Sequence, residues 1–210
     1  MNPSPEDLVH AVRAAGVHDE RVLEAIRATP RAGFVPAEAD GLAYEDVPVP
    51  IGHGQVTTQP SLSAVMISGL DLGADDRVLE VGTGLGFQTA LLARLVAEVV
   101  SIERRPELQE QARRNLDRIG LTNVDLRVGD GSCGVPDLAP YDAVLVSAAF
   151  PAVPVPLTAQ LRIGGRLVQP IGPGGQDEVV LFERRSEGLR RVRMLTFASF
   201  VRLHGRYGYA

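Results

Sequence analysis

The chain has 210 residues, 45% hydrophobic and 22% charged, which suits one globular domain with a sizeable core and excludes a disordered linker. Acidic side chains outnumber basic ones, 26 to 21, for a formal charge of -5, so a protein built mainly to grip nucleic-acid phosphates is not expected. All 21 basic residues are arginine, leaving no lysine for Schiff-base chemistry, and the lone Cys133 can form neither an internal disulfide nor a Cys-rich metal cluster.

No stretch approaches the roughly 20 apolar residues of a membrane-spanning helix. The N-terminal MNPSPEDLVHAVRAAG lacks the charged-then-apolar layout of a signal peptide. A cytoplasmic protein, a monomer without membrane or nucleic-acid partners, is the expectation.

Two helices are predicted first. Ser4 can cap one that has Pro5 at its first position and acids in its first turn, with Leu8, Val12 and Ala15 at helical spacing until Gly16. Asp19 can cap the second, where Val22, Leu23 and Ile26 form an apolar face before Pro30 ends it. From Phe34 to Pro60 the pattern is irregular and rich in Pro and Gly, which predicts a long structured loop of the functional kind, followed by a helix over SLSAVMISGL.

A different rhythm starts at Arg77. RVLEVG reads as a strand, TALLARLVA as a helix, EVVSIE as a strand and PELQEQARRNLDRIG as a helix; VDLRVGD, YDAVLVSAA, GRLVQPIG, EVVLFERR and MLTFASFVRL follow as strands. Apolar strands alternating with helices predict an α/β fold with a mainly parallel, doubly wound sheet covered on both faces. The closer spacing of the last strands predicts antiparallel pairing at the C-terminal edge. One domain over 1–210 is expected, with residues 1–76 as helices and covering loop and 77–210 as the sheet.

Between the first strand and helix of this unit lies Glu80-Val81-Gly82-Thr83-Gly84-Leu85-Gly86-Phe87. Such a turn lets backbone approach a ligand at the carboxyl edge of the sheet. A dinucleotide fingerprint would be G-x-G-x-x-G, but its third glycine position is Phe87; the pattern is G-x-G-x-G preceded by an acid. The next strand ends in Glu103, where a carboxylate can accept hydrogen bonds from both ribose hydroxyls, and Gly129-Asp130-Gly131 closes the third strand. The acid at 103 suits a nucleoside without choosing between cofactor classes. The glycines could be mere turns and the acids mere solvated strand ends.

The glycine motif and its acid resemble motif I of the class I S-adenosylmethionine-dependent methyltransferases, which have a Rossmann-like fold. Within that class, DERVLEAIRATPRAGFVP, LAYEDVPVPIGHGQVTTQPSLSAVM, VLEVGTGLGFQTALLARLVAEVVSIER, RVGDG, YDAVLVSAAFPAVP and LRIGGRLVQPIG resemble, in order, the protein-L-isoaspartate O-methyltransferase family. The resemblance implies methyl transfer from S-adenosyl-L-methionine, leaving S-adenosyl-L-homocysteine, to the α-carboxyl of L-isoaspartyl residues in proteins or peptides. The ester then closes to a succinimide, whose hydrolysis returns part of the material to aspartate. The resemblance places Glu80, Gly82, Thr83, Gly84, Gly86, Glu103, Asp130 and Gly131 at the cofactor; Thr57 and Ser63 flank the loop that carries Thr58 and can reach cofactor or substrate.

By the same resemblance, Thr58 takes the place of a serine whose hydroxyl holds the substrate carboxylate, and Gln55, Ser147 and Ala148 border the substrate. Thr58 could equally be a turn residue before Pro60, Ser63 a plain helix residue and Ser147-Ala148 packing. A carboxylate with a pKa near about 4 is already ionised at about pH 7, so no general base is needed and placement decides the rate. The tail Phe200-Val201-Arg202-Leu203 departs from the family's usual F-V-P-L. His10, His18, His53 and His204 lack metal-ligand spacing, and no metal is expected; Cys133 has no His partner in its motif and reads as a packed side chain. Two other functions stay open: esterification of normal aspartate in a precursor peptide during natural-product biosynthesis, and a non-catalytic cofactor-binding module.

Overall fold

The computed structural model describes residues 4–210. Residues 1–3, the start of the stretch inspected for a targeting signal, lie outside the described residues. Helix α1 (Pro5–Ala14) starts where Asp7 reaches back to accept the Ser4 N–H at 2.7 Å, and α2 (Glu20–Ala28) starts where Asp19 accepts the Arg21 N–H. A short hairpin of β1 (Val49–Gly52) and β2 (Gln55–Thr57) precedes α3 (Pro60–Leu70). Then come β3 (Arg77–Val81), α4 (Phe87–Ala93), β4 (Glu98–Glu103), α5 (Pro106–Arg118), β5 (Val124–Val128), β6 (Tyr141–Val146), α6 (Val155–Gln160), β7 (Leu161–Ile171), β8 (Asp177–Arg185) and β9 (Gly188–Ala198).

The strands from β3 onward form one sheet in the order β5-β4-β3-β6-β7-β8-β9, parallel through β7 and antiparallel for β8 and β9. Alternating side chains feed two cores. Val78, Val99, Ala143 and Leu145 pack under α1 to α4, while Leu79, Val100, Val144 and Val146 pack under Leu157 of α6 and Leu203 of the tail. Each fully buried Leu or Val of this kind contributes about 1.5–3 kcal/mol of burial, which is why strands buried on both faces read as unbroken apolar runs.

Chain direction across the sheet reverses at β3, whose two neighbours are β4 and β6. At such a switch point the loops leaving adjacent carboxyl ends diverge and open a crevice. Here the divergent ends are Val81-Gly82 and Val146-Ser147. No helix among the described residues is long and apolar enough to cross a membrane.

Several boundaries differ from the sequence reading. The stretch from Phe34 to Pro60 contains a 3-10 turn at Ala37–Leu42 and the β1–β2 hairpin. The helix expected over TALLARLVA stops at Ala93, because Leu95 and Val96 are buried in the tight turn that feeds β4. Strand β7 begins at Leu161, with an irregularity in its pairing to β6 between Tyr141 and Ala143, and β9 begins at Gly188.

Candidate active site

The floor of the site is the turn from β3 to α4. Gly82, Gly84 and Gly86 all adopt positive φ, at 98°, 57° and 91°, conformations that L side chains rarely take. The Gly82 N–H donates to Ile102 O at 2.9 Å, tying the turn to β4. Gly82, Thr83 and Gly84 line the cavity with Leu85, whereas Gly86 does not face it. A Cβ on Gly86 would come within 3.3 Å of the Ala112 Cβ, so this glycine lets α5 pack close to the start of α4.

Glu103 closes the cavity from β4. One carboxylate oxygen accepts the Gly84 N–H and the other the Arg105 N–H, both at 3.0 Å, so each oxygen keeps an acceptor site for a ligand hydroxyl. Glu80 behaves differently. It is fully buried, lines none of the cavities, and stands one layer behind the turn, where it accepts from Ser101 Oγ at 2.6 Å, from Thr89 Oγ1 and from Gln88 Nε2 at 3.1 Å. Because Ser101 spends its proton on Glu80, the 2.6 Å contact between Ser101 and Thr83 has Thr83 as donor. The motif acid therefore reaches the cavity only through Thr83 and Gln88.

Burial pushes the Glu80 pKa from an ordinary 4.5 up to about 7, against the pull of its three hydrogen-bond donors. Below about pH 4.5 the acid is neutral in both folded and unfolded chains and the stability is fully present. As the pH rises through about 7, the unfolded chain ionises first and stability falls, by about 3 kcal/mol at most. Glu80→Gln is expected to flatten that fall. Urea unfolding at pH 5 and pH 8 checks it, and an equal slope in both proteins would assign the pH dependence elsewhere.

The roof is the segment before α3, and a buried arginine shapes it. Arg31 lies in the core with its guanidinium donating to the carbonyls of Ala43, Glu45 and Val47 and to Thr57 Oγ1 at 3.0 Å. Burial brings its pKa down to about 10, partly offset by Asp46, so it stays cationic at neutral pH. Thr57 lines the cavity, but its oxygen accepts from both Arg31 and the Val49 N–H, fixing the hairpin. Asp46 accepts from the Ser61 N–H and from Gln59 Nε2, capping α3 from the loop side. Thr58 is thereby suspended between two fixed points, and Gln55 and Ser63 also line the cavity.

Beyond Glu103 the wall continues through Gly131, Ala148 and the tail residues Val201 to His204. A Cβ on Gly131 would meet Val81 Cγ1 at 2.5 Å, so only glycine fits there. Asp130 does not line this wall. Its carboxylate accepts from Ser132 N and Oγ and, at 2.6 Å, from the Arg206 N–H. Burial opposes these bonds, yet together they hold its pKa below the ordinary value. Asp130 thus pins the tail to the end of β5.

The backbone of Ala149 is paired with the tail through the Val201 carbonyl and the Leu203 N–H, which leaves those groups unable to pair with an extended peptide. Ala148 accordingly lies on the Glu103 side of the site and not along the open groove. The bridge does not use the N–H of residue 202, so Arg202 replaces the family's proline without disturbing it.

A third compartment, a groove of about 490 Å³, runs past Leu62, Val65 and residues 195–201. Thr58, Val56, Ser147 and Val201 border both the groove and the glycine-turn cavity, and Ser147 and Val201 also border the wall beyond Glu103. Two buried polar atoms of the glycine-turn cavity, Ser63 Oγ and Gln88 Oε1, have no hydrogen-bond partner in the protein. Unpaired buried polar atoms are costly, so these two call for a polar ligand. Gln88 carries no signal in the sequence, falling between the glycine motif and the predicted helix TALLARLVA, and the tail stood out only by its departure from F-V-P-L.

A sequence model of the family described as Protein-L-isoaspartate(D-aspartate) O-methyltransferase (PCMT) matches residues 3–208. The protein-L-isoaspartate O-methyltransferase of Methanoculleus marisnigri is 50% identical over 198 residues, covering 94% of this chain and 90% of that one. The Myxococcus xanthus enzyme of the same name is 48% identical, covering 91% and 92%. A solved protein-L-isoaspartate O-methyltransferase superposes with a TM-score of 0.85 at 30% identity, over 97% of this chain and 67% of that one. A beta-aspartate methyltransferase (PCMT) from Plasmodium falciparum, solved in complex with S-adenosyl-L-homocysteine, shares the fold with a TM-score of 0.81 at 21% identity, over 95% and 99%. The chain belongs to the protein-L-isoaspartate O-methyltransferase family, S-adenosylmethionine-dependent protein carboxyl methyltransferases, and has their class I fold.

Proposed function

We propose that this protein transfers a methyl group from S-adenosylmethionine to the α-carboxyl of L-isoaspartyl residues in proteins or peptides, so that succinimide formation can return damaged sites to aspartate. The observation that carries the reading is the position of Thr58, at the junction of the glycine-turn cavity and the open groove. The donor, when bound, supplies a sulfonium-activated methyl group. The residues present fit it: Glu103 has an acceptor site on each oxygen for a ribose, Gly82 and Gly84 offer close backbone approach, and Ser63 and Gln88 present unpaired polar atoms to its amino-acid end.

Thr58 donates its hydroxyl proton to the incoming carboxylate and sets its distance and angle. The Arg31–Thr57 contact holds Thr58 in place, and Val56 and Val201 exclude water between the compartments. No residue has to take a proton, because the nucleophile is already an anion. The continuous core beneath α1 to α4 and the sheet supports treating 1–210 as one methyltransferase domain.

Incubation with a pair of peptides differing only in Asp or isoAsp, with labelled donor, tests the function; label is expected on the isoAsp peptide. Preference for normal Asp would reject repair and favour a peptide-modifying role, and donor binding without transfer to either would favour a non-catalytic module. Thr58→Val is expected to lower kcat about tenfold, the worth of one hydrogen bond to a charged group, with donor affinity unchanged. An unchanged kcat would remove Thr58 from the mechanism.

A further inference from the structure

Gln88, in the first turn of α4, is buried, and both protons of its amide are committed. Nε2 donates to Glu80 Oε1 at 3.1 Å and to Ser147 Oγ at 2.7 Å. Its Oε1 has no partner and its side chain lines the glycine-turn cavity. With Glu80 ionised, turning the amide over would set Oε1 against its carboxylate and lose that bond, leaving only the Ser147 hydroxyl able to pair with it, as a donor. The result is an acceptor fixed in orientation by a buried acid, at a site where an unpaired acceptor is costly.

An acceptor in that state requires a ligand with a donor. On the reading of the cofactor given above, the amino-acid end of S-adenosylmethionine carries one good donor, its α-ammonium, beside a carboxylate that can only accept. The hydroxyl of Ser63, the other unpaired polar group on this cavity, can donate and so suits the carboxylate. We propose that Gln88 Oε1 accepts a hydrogen bond from the donor's α-ammonium, making Gln88 the residue that reads the amino group, with Glu80 and Ser147 as positioning residues that fix its amide. This gives the motif acid a role although it never touches the cavity. Glu80 sets which end of the Gln88 amide faces the ligand.

The test is a binding comparison by calorimetry with wild-type protein and Gln88→Met, using S-adenosylhomocysteine, its des-amino analogue and 5′-methylthioadenosine, which lacks the amino-acid part. Wild type is expected to bind the des-amino analogue about tenfold more weakly than S-adenosylhomocysteine. In Gln88→Met that preference should vanish, the dissociation constant for S-adenosylhomocysteine should rise about tenfold, and that for 5′-methylthioadenosine should stay within about twofold. Equal weakening of all three ligands would make Gln88 a packing residue of the glycine turn and overturn the proposal, as would no weakening at all. Should Gln88→Met fail to fold, the wild-type comparison decides alone: equal affinity for S-adenosylhomocysteine and its des-amino analogue overturns the inference. Failure of wild type to bind S-adenosylhomocysteine would instead overturn the cofactor reading itself.

Discussion

Glu103→Ala is expected to raise the dissociation constant for S-adenosylhomocysteine about a thousandfold. The carboxylate receives one backbone N–H on each oxygen and offers one further acceptor site on each. Hydrogen bonds to a charged acceptor contribute about 1.5–3 kcal/mol apiece, so losing a pair of ribose contacts costs about 4 kcal/mol, close to a factor of a thousand. The loss also frees the Gly84 N–H, loosening the turn beneath the ligand. Calorimetric titration checks the number, and the Gln variant separates charge from shape by keeping one acceptor. Unchanged affinity in the alanine variant would withdraw Glu103 from donor recognition.

Arg31→Met should lower the unfolding free energy by about 3–4 kcal/mol. The methionine fills much of the volume, but the carbonyls of Ala43, Glu45 and Val47 and the Thr57 hydroxyl lose one shared donor group. Truncating one partner of a buried charged network is among the few single changes that cost this much. Urea unfolding measures it. Because the carbonyls belong to the roof, the same variant should lose transfer rate as well, through Thr58, more than it loses donor affinity. A loss below about 1 kcal/mol would show that water replaces the guanidinium and that the roof holds itself together.

What the sequence made legible follows from where burial is two-sided. RVLEV and EVVSIE are bounded apolar runs that lie within a residue of their predicted ends, and the strand predicted over YDAVLVSAA ends three residues early, at Val146. The hairpin Val49–Thr57 was invisible because its strands have four and three residues and contain Pro50 and Gly52, which read as loop. The first half of β9 was hidden by Arg190, Arg191 and Arg193, charges that an edge strand tolerates because one face and one edge meet solvent. Helix α6 gave no signal because six residues, with Pro154 before them and Pro156 in their first turn, show too little periodicity.

At the site the same logic holds. Gly82, Gly84, Glu103 and Gly131 face cavities, as their strand-end positions suggested. Glu80 and Asp130 occupy the expected strand ends but spend their carboxylates on neighbouring protein groups. A motif acid announces its station along the chain and not which way its oxygens turn. Arg31 and Gln88 had no legible signal, since their importance lies in partners between 8 and 59 residues away.

The walls of the candidate cofactor site come from residues 51–63, 82–88, Glu103, Gly131 and 147–148, and lastly from Val201 to His204. During synthesis on the ribosome, the nascent chain can lay down β3 to β6 long before the final wall emerges from the exit tunnel. Ligand-derived stabilisation therefore arrives only once residues 201–203 have docked beside Ala149, and before that point the chain relies on its own packing and hydrogen bonds.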